Sequence, residues 1–97
     1  PVMADDIRIF LPGIGDVEHS LRANLRTFRN CASAMIARTD SDTARGIAWE
    51  CCNYANAFIY AGASEETLRD IGQFCNRLMI TAMQAERIDD ERGHDEN

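Results

Sequence analysis

The fold predicted for this chain rests on the stretch TARGIAWECCNYANAFIYAG, residues Thr43–Gly62. At about 100° per residue, apolar residues at spacings of three and four form one helix face that suits a core. These residues are Ala44, Ile47, Ala48, Cys51, Ala55, Phe58 and Ile59. The opposite face carries Trp49 and Tyr60, one above the other, where a solvated helix usually carries Lys, Glu and Arg. The helix therefore has two sides that favour contact.

The second side of this helix is a candidate protein-binding surface. Its residues are Arg45, Trp49, Asn53, Asn56 and Tyr60. Trp, Tyr and Arg are the residue types that dominate the binding energy of protein interfaces. Two interpretations stay open, because another segment of the same chain could cover this face, or a partner could bind it. Such a partner is either a second copy or a different protein.

Two more amphipathic stretches flank the central one. The first has an apolar stripe of Val17, Leu21, Leu25, Phe28, Ala32 and Met35, and the last has one of Leu68, Ile71, Cys75, Leu78, Ala82 and Ala85. The spacing predicts helices over about 16–38, 42–61 and 65–88, and the short connections predict antiparallel neighbours. The sequence thus predicts an all-α fold: a small antiparallel three-helix bundle at 16–88, an extended N-terminal arm at 1–15 and a disordered acidic tail at 89–97.

Polar residues and glycines mark the predicted helix ends. Asp16 is the predicted N-cap of the first helix, and Ser64 is that of the third. Gly62 is expected to end the central helix in a left-handed conformation. Three residues can each cap the start of the central helix, and the sequence does not choose among Asp40, Ser41 and Asp42.

The N-terminal arm offers further apolar contacts. The candidate contact residues are Ile7, Ile9, Phe10 and Leu11, which Pro12-Gly13 separates from the first helix. The alternation over these residues also fits a single edge strand. No second strand candidate exists in the chain, so the arm either packs on the helices or pairs with its copy in a dimer. Packing is the interpretation we favour.

The third helix carries more apolar surface than a three-helix monomer needs. The predicted self-association residues are Phe74, Met79, Ile80 and Met83. Met side chains also suit adaptable contact surfaces. We therefore expect a homodimer, the commonest form of self-association.

Charge argues against nucleic acid as a partner. The chain of 97 residues has a net charge of −6, and all ten basic residues are Arg. Binding of nucleic acid draws its strength from basic residues that neutralise phosphates. A helix-turn-helix interpretation also fails, since these helices are long and the 39–42 turn lacks its usual Gly. The outward row of Arg22, Arg26 and Arg29 reads as a solvated face, with recognition of an acidic partner as the alternative.

Nothing in the sequence predicts catalysis, a cofactor or a metal site. The two histidines, His19 and His94, have no partner at metal-binding spacing, and no phosphate-binding glycine loop is present. The four cysteines lie at 31, 51, 52 and 75, without zinc-finger spacing. Buried reduced thiols are the favoured interpretation, which implies a reducing cytoplasm. No signal peptide or membrane span is predicted.

Several segments together resemble a known family. They are IRIFLPGIGDVEHSL at 7–21, LRANLRTFRNCASAM at 21–35, GIAWECCNYANAFIYAG at 46–62, the lack of Lys and the acidic tail. The chain resembles the small helical anti-activators of bacterial quorum sensing over nearly its whole length. The resemblance implies binding to the ligand-binding domain of a LuxR-type, LasR-like transcription factor. Such binding blocks the dimerisation of that factor and hence its binding to DNA. A self-assembling structural module or adaptor with no foreign target is the alternative.

Overall fold

Three α-helices make up the part of the chain that the structure describes. The computed structural model describes the backbone of residues 14–96 and the side chains of residues 17–92. Helix α1 spans Ile14–Arg38, α2 spans Asp42–Ile59 and α3 spans Glu65–Glu96. Each helix packs against the other two, and residues 14–96 contain no strand. The prediction of an all-α three-helix fold is confirmed.

Small side chains let α2 approach its neighbours closely. Its fully buried core positions include Ala44, Ala48 and Ala55. At Cys51 the approach to α3 is reciprocal: the Cys51 thiol donates to the carbonyl of Cys75 at 3.8 Å, and the Cys75 thiol to the carbonyl of Cys51 at 3.9 Å. Larger side chains then fill the core on the flanking helices, namely Leu25, Met35 and Leu68. The residues of the core-facing stripes predicted from spacing are either buried or half-buried against the core.

Helix α1 begins earlier than the sequence predicts. It starts at Ile14, so Asp16 lies inside the first turn and is not the N-cap. A carboxylate within the first turn still interacts favourably with the helix dipole, so the composition suits either boundary. The boundaries of a helix fray, so its first and last residues commonly differ from prediction by about one or two positions.

The start of α2 is capped by Ser41. Its backbone is extended, with φ −85° and ψ 116°, and its hydroxyl oxygen accepts a hydrogen bond from the Ala44 N–H at 3.1 Å. The same hydroxyl donates to the carboxylate of Asp89 on α3. Ser41 is buried, whereas Asp40 and Asp42 are exposed. Tertiary contact with α3 therefore selects one of the three caps that the sequence left open.

The C-terminal end of α2 is held by an arginine from α1. The Nη1 of Arg22 donates to the backbone carbonyls of Phe58, Ile59 and Ala61 at 3.3, 2.9 and 2.7 Å. The prediction for Gly62 is wrong, because no glycine among the described residues has a positive φ. Carbonyls at a helix end need donors, and a cation there also complements the dipole. Arg22 supplies both, so a left-handed glycine cap is not needed.

Helix α3 continues to Glu96, whereas the sequence predicted its end near residue 88 and a disordered tail beyond. Asp89 contacts the Ser41 hydroxyl, which ties this part of the helix to the bundle. Glu and Arg are good helix formers, and no proline interrupts residues 89–96. The start of α3 agrees with prediction, since the Ser64 hydroxyl accepts from the Thr67 N–H at 3.2 Å.

The predicted arm at 1–15 is only partly covered by the structure. Its contact residues Ile7, Ile9, Phe10 and Leu11 lie outside the described residues. The last two residues of the predicted arm, Ile14 and Gly15, belong to α1. Over the described range, no helix is both long enough and apolar enough to cross a membrane.

The four thiols differ in exposure, and this difference predicts how fast each of them reacts. All four cysteines are free; Cys31 is exposed, and Cys51, Cys52 and Cys75 are buried. The hydrogen bond with the Cys75 side chain, together with burial, raises the pKa of the Cys51 thiol. Thiolates are the reactive form. We expect a thiol-specific chromogenic reagent to modify Cys31 quickly in the native protein and the other three only after denaturation. Rapid native modification of more than one thiol would contradict this core.

Candidate protein-interaction surface

The surface formed by Arg45, Trp49, Asn53, Asn56 and Tyr60, here called the aromatic face, lies on the outside of the bundle. Trp49 is 53% exposed and Tyr60 is 78% exposed, although both are large and partly apolar. Asn53 and Asn56 between them are also exposed. Neither α1 nor α3 covers this side of α2. Within the described residues, no other helix covers the two aromatic rings, which the spacing places opposite the core-facing side of α2.

The polar members of the aromatic face differ in how they are held. Arg45 donates to the Asp42 carboxylate at 2.6 Å and to the Thr39 carbonyl at 2.7 Å. These bonds hold its guanidinium at the start of α2. Asn56 makes one weak bond, from its Nδ2 to the Cys52 Sγ at 3.7 Å. The centre of the face is thus formed by the two rings and the two amides.

The predicted self-association residues on α3 separate into two groups. Met79 is only 7% exposed and belongs to the core, so it is not available to a second copy. It follows Cys75 by four residues and precedes Ala82 by three, which places it on the buried stripe. Phe74 is half-buried and packs edge-on against Tyr54, with ring centroids 4.9 Å apart. Of the predicted set, only Ile80 and Met83 are well exposed.

Sequence reasoning missed Ile88, a third exposed large apolar residue on α3. Its side chain is 52% exposed on the same helix. The spacing of eight residues from Ile80 could have revealed it, but the helix was predicted to stop there. We call Ile80, Met83 and Ile88 the α3 apolar patch.

A groove between α1 and α3 is a second feature that the spacing of apolar residues in the sequence did not predict. Its volume is about 270 Å³, and it is lined by apolar Leu21, Phe28 and Leu68 together with polar side chains such as Asn24. The Oδ1 of Asn24 is buried and accepts no hydrogen bond from any described residue. Buried polar atoms usually have a partner. The lining of the groove thus combines apolar and polar side chains.

The described residues bring together no evident catalytic constellation. No group of three or more His, Cys, Asp or Glu side chains in the described part of the chain could hold a metal ion. His19 is exposed on α1, whereas Cys51 and Cys52 point into the core, and His94 lies beyond the described side chains. The fully buried Cys51, with its raised pKa, is poorly suited to act as a surface nucleophile. Protein recognition is the chemistry that these exposed rings and amides support best.

Comparison of the chain with protein-family models, with characterised proteins and with solved structures finds no match. The function is therefore argued from the surface of the bundle and from the resemblance carried by its sequence segments.

Proposed function

We propose that this protein is a protein-binding inhibitor, an anti-activator. In this proposal it sequesters a LuxR-type, LasR-like transcription factor by occupying the dimerisation surface of that factor's ligand-binding domain. The regulator then cannot pair with its own copy, and it loses its binding to DNA. No reaction, cofactor or nucleic-acid contact is part of this mechanism.

The exposure of Trp49 and Tyr60 is the observation that carries the proposal. Aromatic residues of this size bury large areas in interfaces and dominate their energetics. The aromatic face has few charges, since Arg45 is engaged with Asp42 at one end. An interface of ordinary size buries about 800 Å² on each partner, more than one helix face offers. A neighbouring element must therefore add to the contact.

We further propose that the bundle is antiparallel and forms a homodimer through the α3 apolar patch. The antiparallel arrangement is supported by two contacts between α1 and α2. Arg22, early in α1, reaches the end of α2 at Ile59, and Ser33, late in α1, lies 3.8 Å from Cys52. Homodimers are the commonest oligomers of soluble proteins. Assigning α3 to self-association leaves the aromatic face of α2 free for the regulator.

The proposed location is the cytoplasm, because the transcription factor that this protein is proposed to bind is located there. The free thiols support this, because disulfides are rare in a reducing compartment and common outside it.

A self-assembling structural module is the second candidate function. The observation that favours it is the presence of two separate exposed apolar surfaces, the aromatic face and the α3 apolar patch. Two such surfaces on one chain could both serve contacts between copies.

Mixing the protein with the purified ligand-binding domain of a LuxR-type regulator tests the proposal. We expect light scattering after size-exclusion chromatography to show loss of the regulator dimer and appearance of a mixed complex. Fluorescence anisotropy with the full-length regulator should show release of a labelled operator DNA. The ligand-binding domain remaining dimeric in excess protein would overturn the proposed function and favour the self-assembling module.

A further inference from the structure

The charge of this protein is divided unevenly among its helices. Helix α1 contains four arginines against two acidic residues, whereas α3 contains four arginines against nine acidic residues. In a chain whose net charge is −6, α1 is therefore a locally positive element. Uneven charge of this kind orients encounters between proteins.

Two of the four arginines on α1 are already engaged. Arg22 caps the end of α2 through three carbonyls, and Arg38 pairs with Glu86 at 3.2 Å. The other two, Arg26 and Arg29, form no ion pair with any described residue, and Arg29 makes only long bonds of 3.4 Å to Asn30. Among contacts with the described residues, the unpaired positive charge of α1 is that of Arg26 and Arg29, here called the arginine pair.

A chain of contacts places the arginine pair beside the aromatic face. Arg26, Arg29 and Ser33 are spaced by three and four residues, so they share one side of α1. The Ser33 Oγ lies 3.8 Å from the Cys52 Sγ, which accepts the bond from the Asn56 amide. Asn56 belongs to the aromatic face. The pair therefore borders that face along the seam between α1 and α2.

We infer that the arginine pair extends the aromatic face and selects a partner surface whose apolar centre is flanked by carboxylates. This inference rests on the proposed function, and it names the chemistry of the regulator surface that is bound. Arg guanidinium groups suit carboxylates because two parallel hydrogen bonds can form. The net negative charge of this protein repels an acidic partner, whereas the arginine pair attracts it. The pair therefore also determines the orientation in which the partner approaches.

Charge reversal at Arg26 tests the inference, with Arg77→Glu as the matched control. Both substitutions change the net charge equally, but Arg77 is exposed on α3, whereas Arg26 is half-buried on α1. The probe is the purified ligand-binding domain of the LuxR-type regulator, measured by stopped-flow or surface plasmon resonance at low and high salt. We expect Arg26→Glu to slow association about three- to tenfold at low salt and to weaken its salt dependence. Arg77→Glu should remain within about twofold of the wild type.

The outcomes separate this inference from the proposed function. Equal slowing by both substitutions would mean that only net charge matters, which overturns the inference. Unchanged association of Arg26→Glu, together with weak binding by a Trp49→Ala variant, would overturn it while the proposed function stands. Absence of any complex with the wild type would overturn both. A change in the protein's own oligomeric mass on Arg26→Glu would assign the pair to contacts between copies and would also overturn it. Circular dichroism melts of each variant establish that the fold is retained.

Discussion

Replacing Trp49 with alanine is expected to weaken binding of the regulator's ligand-binding domain by thirtyfold or more and to leave the fold of the protein unchanged. Truncation of an aromatic residue at the centre of an interface typically costs about 2–4 kcal/mol of binding free energy. Because Trp49 is 53% exposed on α2, its loss removes little from the core. Isothermal titration calorimetry of both proteins with the same domain measures the difference.

Ile88→Ala is the matched control for this experiment. Ile88 is exposed to nearly the same extent, 52%, but lies on α3 in the α3 apolar patch. We expect it to retain regulator binding and to weaken the homodimer. The converse pattern, in which Trp49→Ala breaks the homodimer and Ile88→Ala releases the regulator, would exchange the roles of the two surfaces. If Trp49→Ala changed neither affinity nor oligomeric mass, the aromatic face would have no role in binding.

Replacing Arg22 with methionine is expected to lower the free energy of unfolding by about 2 kcal/mol. Methionine keeps much of the aliphatic stem, so the change chiefly removes the donors. The carbonyls of Phe58, Ile59 and Ala61 would lose their Arg22 hydrogen bonds at the end of α2, where a positive charge is also favourable. Urea denaturation followed by circular dichroism should show a lower midpoint with an unchanged slope.

Arg26→Met is the control for this second prediction. Arg26 lies on the same helix one turn later and has no ion pair with a described residue, so its loss should change stability by less than about 0.5 kcal/mol. Equal destabilisation by both variants would show that the Arg22 contacts add nothing beyond helix propensity and stem packing. The comparison isolates the cap, because both substitutions remove one positive charge from α1.

The helix positions, and the placement of Trp49 and Tyr60 opposite the core-facing side of α2, could be predicted because they depend on local periodicity. The stripe from Val17 to Met35 and the rings of Trp49 and Tyr60 follow from the number of residues per turn alone. The role of Arg22 could not be predicted in this way. In the sequence it is one of three similarly spaced arginines, and only its distance from the end of α2 distinguishes it from Arg26 and Arg29.

The failures at Met79 and Gly62 have related physical causes. The apolar arc of α3, wider than two neighbours require, predicts a surface position for Met79, yet the packed helices bury it. Gly62 was expected to satisfy the end of α2 locally, but a side chain distant in sequence does so instead. In both cases the helix wheel describes one helix, whereas burial and hydrogen bonding depend on its neighbours.

The sequence by itself determined that the chain forms three helices, which of their faces point inward, and that one helix carries aromatic rings on its outer side. These follow from local spacing and intrinsic preference. Only the tertiary structure decided that Ser41 caps α2, that Arg22 is engaged while Arg26 and Arg29 stay free of described partners, and that these two arginines border the aromatic face. Contacts between residues far apart in the chain determine each of these features, and periodicity within one helix carries no information about them.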